Sequence, residues 1–281
     1  MADSGPPKTP HFARPPVVET VLGVQFAPLA QMRITHYGLL LAALRQAFPG
    51  QPEALKVSEH ASLEPVIEAF GADGLRTPRV HWTISDEPPL PRCWYASGDE
   101  QFLVQVQRDR FIFNWRHPGP DGVYPRYEAN QARFQSLFTA FLEFADREAL
   151  GPVATNQCEV TYVNHIELLE GKNVAETLDA VLTGWKLCTS DGWLTGAVRG
   201  QFSASYPMPR GRGRLHVTAH PAFRVTDRKE IVRVDLTARG SPWLPDLDGV
   251  RAWLDLGHEW VVRGFVSITT PQVHELWGRI S

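Results

Sequence analysis

Apolar and polar positions alternate in several stretches of the chain, which is the period of a β-strand. The clearest stretch, 17–26 (VVETVLGVQF), is rich in β-branched residues, and a second one, 158–166 (CEVTYVNHI), repeats its alternation. Two neighbouring stretches, 101–107 and 110–116, are separated by Arg108 and Asp109 and therefore predict a tight hairpin. Further strands are predicted at 79–85, 93–97, 196–206, 214–219 and 230–238.

Other stretches carry apolar residues at helical spacing. Two long amphipathic helices are predicted, one over 127–150 and one that begins after Asp246 or Asp248 as its N-cap. Shorter helices are predicted at 34–48 and 174–185, and a last helical turn at Pro271. Eight apolar residues on the two long helices are expected in the core: Phe134, Leu137, Phe138, Phe141, Trp253, Leu254, Trp260 and Val261.

The order strand, helix, strands, helix occurs twice along the chain. Laying VETVLGVQF over CEVTYVNHI without a gap places Glu19 on Glu159, 140 positions later. The expected fold is therefore α+β, with two similar β-α-β-β-(β)-α halves whose antiparallel sheets pack on long amphipathic helices, a helix-grip or TATA-box-binding-protein-like topology. The expected organisation is a flexible N-terminal arm at 1–14, a first half at 15–151 and a second half at 152–281.

Composition and charge restrict the classes of partner. The formal net charge is −3, so no overall field favours nucleic acid or an anionic membrane. The three cysteines contain no CxxC pair, and no apolar run is long enough to span a bilayer. With a polar, Pro-rich N-terminus, these features favour a cytoplasmic protein. Nine Trp and fourteen Phe predict large buried faces or an aromatic-lined cavity.

Motifs for nucleotides, metals and nucleophilic catalysis are absent from the sequence. There is no GxxxxGK[ST], no GxGxxG between a strand and a helix, no HExxH and no GxSxG. His216 and His220 have HxxxH spacing, but on a strand they lie about 13 Å apart. The basic turn RGRGR at 210–214 is either a phosphate clamp or, as we favour, a solvated loop. We therefore expect no cofactor and no metal.

Acid–base chemistry has three candidate residues. Glu19 and Glu159 occupy matching places in otherwise apolar strands, and His165 follows in the second of these strands. If the halves pack as pseudo-twofold mates, the two carboxylates could approach each other. The alternative, which we favour, is a structural salt bridge to an arginine such as Arg116 or Arg233.

A candidate recognition surface lies at the end of the second hairpin strand. Asn114, Trp115 and Arg116 end this strand, and Tyr124 and Arg126 follow after a short loop. Aromatic, amide and guanidinium groups at one strand end are typical of a binding surface. Trp115 also fits a purely structural role as a cap on the core.

Four spaced phrases carry a resemblance to a known family: PPVVETVLGVQF, QVQRDRFIFNWR with YPRYE after it, EVTYVNHIEL, and LGHEWVVRGFVSIT with HELWGRI. Together they resemble a sporadically distributed bacterial family of uncharacterised proteins. The resemblance implies a bacterial, cytoplasmic protein with an accessory role, in defence, a mobile element or a biosynthetic cluster. It implies no role for His258 and His274, which lie in the last phrases.

Two functions from different classes follow from these observations. The first is a non-catalytic binding or adaptor protein that acts on a protein partner. The second is an enzyme or small-ligand-binding protein that uses a cavity between a curved sheet and a helix, with Glu19, Glu159 and His165 as polar groups. Homo-oligomerisation is compatible with either function.

Overall fold

The computed structural model describes residues 9–48, 55–66, 68, 90–119, 122–186, 193 and 196–280. Within these residues the chain forms nine strands and five α-helices. The strands are β1 Val17–Phe26, β2 Lys56–His60, β3 Arg92–Ala96, β4 Phe102–Gln107, β5 Arg110–Arg116, β6 Thr155–Glu167, β7 Phe202–Pro207, β8 Arg214–Phe223 and β9 Glu230–Gly240. The helices are α1 Ile34–Ala47, α2 Arg126–Arg147, α3 Val174–Val181, α4 Leu247–Ile268 and α5 Pro271–Leu276. The strand expected at 79–85 lies outside the described residues.

The strands form one continuous antiparallel sheet in the order β2-β3-β4-β5-β1-β6-β9-β8-β7. The expected α+β class with antiparallel strands is confirmed, and β4 and β5 form the expected hairpin. The sheet is shared by the two parts of the chain, because β1 pairs directly with β6 at its centre. We expected one sheet in each half, and this central pairing joins them into one.

The register at the centre of the sheet is symmetric. Val21 lies opposite Thr161, Glu19 opposite Val163, and Gly23 opposite Glu159. Val21 and Thr161, which stand 140 positions apart, face each other. The pairs on either side are related by exchange, because Glu19 faces the residue 140 positions after Gly23, and Gly23 faces the residue 140 positions after Glu19. This register is the one that a pseudo-twofold axis would produce. The internal duplication itself stays a prediction.

The helices cover one face of the sheet and form the core together with the strand residues on that face. Helix α4 packs on β6, β8 and β9, while α1 packs on α2, which contacts β5. The phenylalanines of α2 meet aromatic rings of the strands, as in the Phe111–Phe138 pair, with ring centroids 5.4 Å apart. Seven of the eight expected core residues are buried, and Trp260 is only partly buried because it lies at an outer groove of α4.

The described residues before β1, 9–16, contact the helix side of the molecule, and the flexibility expected for the arm at 1–14 stays a prediction. Phe12 is buried, and the backbone of Ala13 and Arg14 donates hydrogen bonds to the carbonyls of Gly278 and Trp277. The ring of Phe12 contacts Phe265 of α4 edge to face. The described part of the arm therefore forms a cover that runs over the helix side of the molecule.

Candidate functional site

A cavity of about 60 Å³ lies between α2, α4 and the central strands, beneath the N-terminal residues. Its walls are mostly apolar, with side chains of Phe12, Val261 and Phe265 among them. Tyr124, Tyr127, Tyr162, Asn164 and His258 bring polar atoms to the same walls, and Arg126 and Glu128 bring one positive and one negative charge. A concave, largely apolar pocket with a few convergent polar groups is the usual form of a small-molecule site.

Three side chains of this cavity form a hydrogen-bonded chain. The hydroxyl oxygens of Tyr124 and Tyr162 lie 2.7 Å apart. The Tyr162 hydroxyl lies 3.0 Å from Nδ1 of His258. The chain therefore links the loop before α2, the central strand β6 and helix α4, three elements that are far apart in the sequence.

The imidazole of His258 is also fixed by stacking. Its ring lies on the ring of Tyr127, with 3.9 Å between the centroids and 2° between the planes. The Tyr127 hydroxyl donates a hydrogen bond of 2.8 Å to the carboxylate of Asp255, one turn of α4 before His258. Ring position and ring orientation at His258 are thus set by two tyrosines.

Strand alternation explains why Tyr162 points into this cavity. Tyr162 pairs directly with Thr20 of β1, and Thr20 pairs on its other side with Trp115 of β5, so the three side chains share the helix-facing side of the sheet. Asn130 of α2 donates to the Thr20 hydroxyl at 3.0 Å.

Burial sets the protonation states of the three residues in the hydrogen-bonded chain. It raises the pKa of Tyr162 well above its usual range and, as the largest cause, also raises the pKa of Tyr124. It lowers the pKa of His258 from 6.5 to about 4. Near neutral pH both phenols are therefore protonated and the imidazole is neutral.

A neutral imidazole has one nitrogen that donates and one that accepts. Nδ1 of His258 meets the Tyr162 hydroxyl, and no hydrogen bond of Nε2 is found among the described residues. Because His258 lines the cavity, Nε2 is the ring nitrogen left for a molecule there, as a donor when Tyr162 donates to Nδ1 and as an acceptor in the other tautomer.

The two carboxylates expected as an acid–base pair lie on the face of the sheet away from the helices, here called the open face. Oε1 of Glu19 accepts from Nε of Arg116 at 3.1 Å, and Oε2 of Glu159 accepts from Arg239 at 2.7 Å. Because Glu159 faces Gly23 while Glu19 faces Val163, the two glutamates stand four residues apart along the strands, or about 13 Å. They do not meet, and each has the arginine partner that the structural alternative required.

His165 also lies away from the cavity. It pairs with Arg233 of β9 on the open face, and its backbone N–H donates to the carbonyl of Pro16. Burial, followed by the nearby positive charges of Arg233 and Arg224, lowers its pKa. His165 therefore does not join Glu19 and Glu159 in one compact site.

The five residues of the expected recognition surface divide between the two faces of the sheet. Asn114 donates to Glu19 on the open face, where Arg116 also lies. Trp115 is fully buried on the helix side against Tyr124, with ring centroids 5.1 Å apart. Arg126 joins this side and donates to the carbonyl of Phe12. They do not form one surface, since neighbouring strand residues point in opposite directions.

His274 and His216, two further histidines of the described residues, have structural partners. His274 is buried, with Nε2 at 2.7 Å from the Thr269 hydroxyl. His216 lies on β8 beside Ser205 and Glu68, and His220 is four residues further along the same strand. In the basic turn, Arg212 accepts from Trp253 through its backbone carbonyl. None of these described contacts joins the cavity.

Among the described residues, no group of three or more His, Cys, Asp and Glu side chains is placed to hold a metal ion. Cys93 and Cys158 are buried free thiols, and burial raises the pKa of both. Cys188 lies outside the described residues. No helix in the described ranges has the length and apolar character needed to cross a membrane.

Two residues of the site, Tyr127 and Asp255, were not expected from the sequence. Both lie in amphipathic helices, where a tyrosine or aspartate at the edge of the apolar stripe gives no separate signal. His258 and Tyr162 both lie in family-like phrases, but neither was given a role from the sequence. Their contact joins positions 96 residues apart and needs the folded sheet to be seen.

The comparisons with known proteins add little. No protein-family model matches the chain, and no curated protein is similar to it in sequence. Among solved structures, the crystal structure of the di-domain ARO/CYC StfQ from the steffimycin biosynthetic pathway aligns over 93% of this chain and 98% of that one, with 11% identity and a TM-score of 0.19. A TM-score this low establishes no shared fold and bears on no function.

Proposed function

We propose that the protein binds a small, uncharged and largely apolar molecule in the cavity between α2 and α4. The observation that carries this proposal is the hydrogen-bonded chain from Tyr124 through Tyr162 to His258. Its three members are buried or partly buried polar groups in an apolar wall, where each costs free energy unless it is paired. The chain keeps them paired and leaves Nε2 of His258 for a ligand.

The hydrogen-bonded chain favours a neutral ligand, and the two charged side chains that also line the cavity, Arg126 and Glu128, have opposite signs. At neutral pH the phenols and the imidazole carry no charge, because burial raises the pKa of the former and lowers that of the latter. A charged ligand would lose its hydration without gaining an opposite charge from these groups. A hydroxyl or carbonyl on a short aliphatic skeleton of a few carbon atoms would match the apolar walls, the imidazole and the cavity volume of about 60 Å³.

Binding without catalysis fits the properties of His258. A general base works best when its pKa lies near the working pH, and burial holds the pKa of His258 at about 4. Such an imidazole is a weak base, although it is a good neutral hydrogen-bonding group. The alternative, an enzyme, would need a ligand or a rearrangement that raises this pKa.

The test is a thermal-shift screen of small uncharged aliphatic alcohols and ketones, with matched carboxylates and amines as the charged set. We expect uncharged members to raise the melting temperature, because ligands that bind only the folded state stabilise it by mass action. Tyr162→Phe should abolish this shift, while Tyr206→Phe on the exposed edge strand β7 should retain it. A preference for the charged set, or equal shifts with Tyr162→Phe, would contradict the proposal.

The adaptor function is the second candidate. The observation that favours it is the open face of the sheet, where a distant segment of the chain lies as an extended peptide held by side-chain amides. We further propose a bacterial, cytoplasmic protein with an accessory role, which is supported by the resemblance of the sequence phrases and by the unpaired cysteines.

A further inference from the structure

Residues 63–66 and Glu68, here called the crossing segment, pass over the open face of the sheet from the β4–β5 hairpin to β8. At one end, Gln107 holds Leu63 by two hydrogen bonds. The backbone N–H of Leu63 donates to Oε1 of Gln107 at 2.9 Å, and Nε2 of Gln107 donates to the Leu63 carbonyl, also at 2.9 Å. One buried side-chain amide thus satisfies both backbone groups of one residue.

The same arrangement recurs at the other end of the crossing segment. Oε1 of Gln157 accepts from the backbone N–H of Glu68 at 2.8 Å, and its Nε2 donates to the carbonyl of Val66. Between the two glutamines, Nη2 of Arg110 donates to the carbonyl of Glu64 at 2.9 Å. Gln107 and Gln157 are both buried, so their positions are set by the sheet. These contacts involve only backbone atoms of the crossing segment, so they do not depend on its side chains.

One side chain of the crossing segment is recognised specifically. The carboxylate of Glu68 accepts from Nη1 of Arg214 at 2.7 Å and lies 3.0 Å from Nε2 of His216. The other ring nitrogen of His216 lies 2.9 Å from the Ser205 hydroxyl, which orients the ring. The Glu68 side chain is only 6% exposed. A residue from a distant loop thus fills a site that strands β7 and β8 build for a carboxylate.

The crossing segment fits the face loosely between these fixed points. Leu63 is 37% exposed and Val66 is 45% exposed. A cavity of about 400 Å³ remains between the segment and the floor formed by Val21, Gly23 and Ile112. Among the described residues, this part of the face therefore has room for larger apolar side chains than Leu63 and Val66 supply.

We propose that the open face is a groove for an extended acidic peptide of a partner protein, and that the crossing segment occupies it as an internal substitute. The partner peptide would bind with its backbone on Gln107, Arg110 and Gln157, place an acidic side chain on Arg214 and His216, and fill the cavity with apolar side chains. A tethered segment competes at a high effective concentration, so a peptide that binds the groove weakly does not displace it. This inference deepens the second candidate function and is independent of the ligand cavity on the helix side.

The test uses a fluorescein-labelled synthetic peptide with the sequence of residues 61–70, ASLEPVIEAF, as the probe. In one variant, residues 63–68 are replaced by GSGSGS, which removes the internal substitute. Fluorescence anisotropy should show this variant binding the probe at least ten-fold more tightly than the parent protein does. Adding Arg214→Ala to the variant, or using a probe with Gln in place of its second Glu, should weaken binding at least ten-fold.

The result that overturns the proposal is a folded GSGSGS variant that binds the probe no better than the parent, or equally well with the Gln probe. Light scattering shows whether that variant instead takes the segment of a second copy, and dimerisation without probe binding would also count against a partner peptide. If the replacement prevents folding, Glu68→Gln leaves the loop length unchanged. Glu68→Gln should still raise the affinity for the probe at least three-fold, and an unchanged affinity would overturn the proposal.

If this test fails, the proposal of a peptide groove is overturned, while the proposed ligand cavity is unaffected. An adaptor function would then depend on another surface, such as the groove between β7, β8 and α4 lined by Tyr206, Leu256 and Trp260. The thermal-shift screen with small neutral molecules tests binding in the cavity on the helix side of the sheet. The two results are therefore read separately.

Discussion

The imidazole of His258 lies flat on the phenol ring of Tyr127, and Nδ1 of the same imidazole meets the hydroxyl of Tyr162. The two tyrosines fix the ring in position and in rotation without giving it a charge. Because Tyr127 comes from α2 and Tyr162 from β6, the position of the ring depends on how the helices pack on the sheet. A small error in packing would break either the stack or the hydrogen bond.

The first prediction concerns the middle of the hydrogen-bonded chain. Tyr162→Phe leaves the Tyr124 hydroxyl and Nδ1 of His258 without their partner in a buried setting. We expect a loss of about 1–3 kcal/mol in the free energy of unfolding, because unpaired buried polar groups keep their desolvation cost. Urea unfolding measures the loss. Tyr206→Phe is the control and should stay within about 0.5 kcal/mol of the parent, since Tyr206 is exposed.

The second prediction concerns pH. Burial lowers the pKa of His258 from 6.5 to about 4, so between these values the unfolded chain binds a proton that the folded chain excludes. The stability present above pH 6.5 is therefore lost as the pH falls towards 4. From pH 7.5 to pH 5 this loss amounts to about 2 kcal/mol for His258 alone.

The measurement compares urea unfolding of the parent and of His258→Asn at the two pH values. The variant should lose about 2 kcal/mol less than the parent on acidification. His165 and His274, whose pKa values burial also lowers, titrate in both proteins, so the difference isolates His258. Equal pH dependence in parent and variant would show that His258 is not a neutral buried imidazole.

The sequence predicted the local elements well because their signals are local. Asp246 caps α4 by accepting from the backbone N–H of Gly249, and Arg108 and Asp109 form the hairpin turn, as their residue types indicate. The alternation of VETVLGVQF placed Leu22 and Glu19 on opposite faces. These features depend on neighbours within a few residues.

The features that were missed depend on distant contacts. The pairing of β1 with β6, which joins the sheet, and the contact of Tyr127 with Asp255 link positions more than 100 residues apart. The grouping of Asn114 with Trp115 as one surface was avoidable, because adjacent strand residues point to opposite faces. The short edge strand β2 was missed because KVSEH carries no apolar alternation.

The third prediction concerns the two glutamates of the open face. The pairs Glu19–Arg116 and Glu159–Arg239 are half-buried, and such pairs contribute little beyond local order. We expect double-mutant cycles with Glu→Gln and Arg→Met to give coupling free energies of about 0.5–1 kcal/mol for each pair. A coupling free energy well above 1 kcal/mol in either pair would contradict this prediction.

The same variants separate the two faces of the sheet. Glu19→Gln and Glu159→Gln should leave the thermal shifts caused by neutral ligands unchanged, because both carboxylates lie on the face away from the Tyr162–His258 chain. Loss of ligand binding in either glutamine variant would restore the carboxylates as candidate functional groups and would count against the cavity on the helix side.

The last prediction concerns the core under α2. Phe138 is 1% exposed, and its ring contacts the rings of Phe111, Phe134 and Phe141 at centroid distances of 5.4, 5.5 and 6.2 Å. Phe138→Ala removes one ring from this cluster, and the neighbouring rings cannot move enough to close the gap because they hold one another. We expect a loss of about 3–5 kcal/mol in the free energy of unfolding, and Phe138→Leu should lose clearly less because it refills part of the volume. Leu39→Ala on the exposed side of α1 is the control and should change stability by about 0.5 kcal/mol at most. An alanine variant at 138 that unfolds at the same urea concentration as the parent would mean that α2 does not pack on β5 through this cluster.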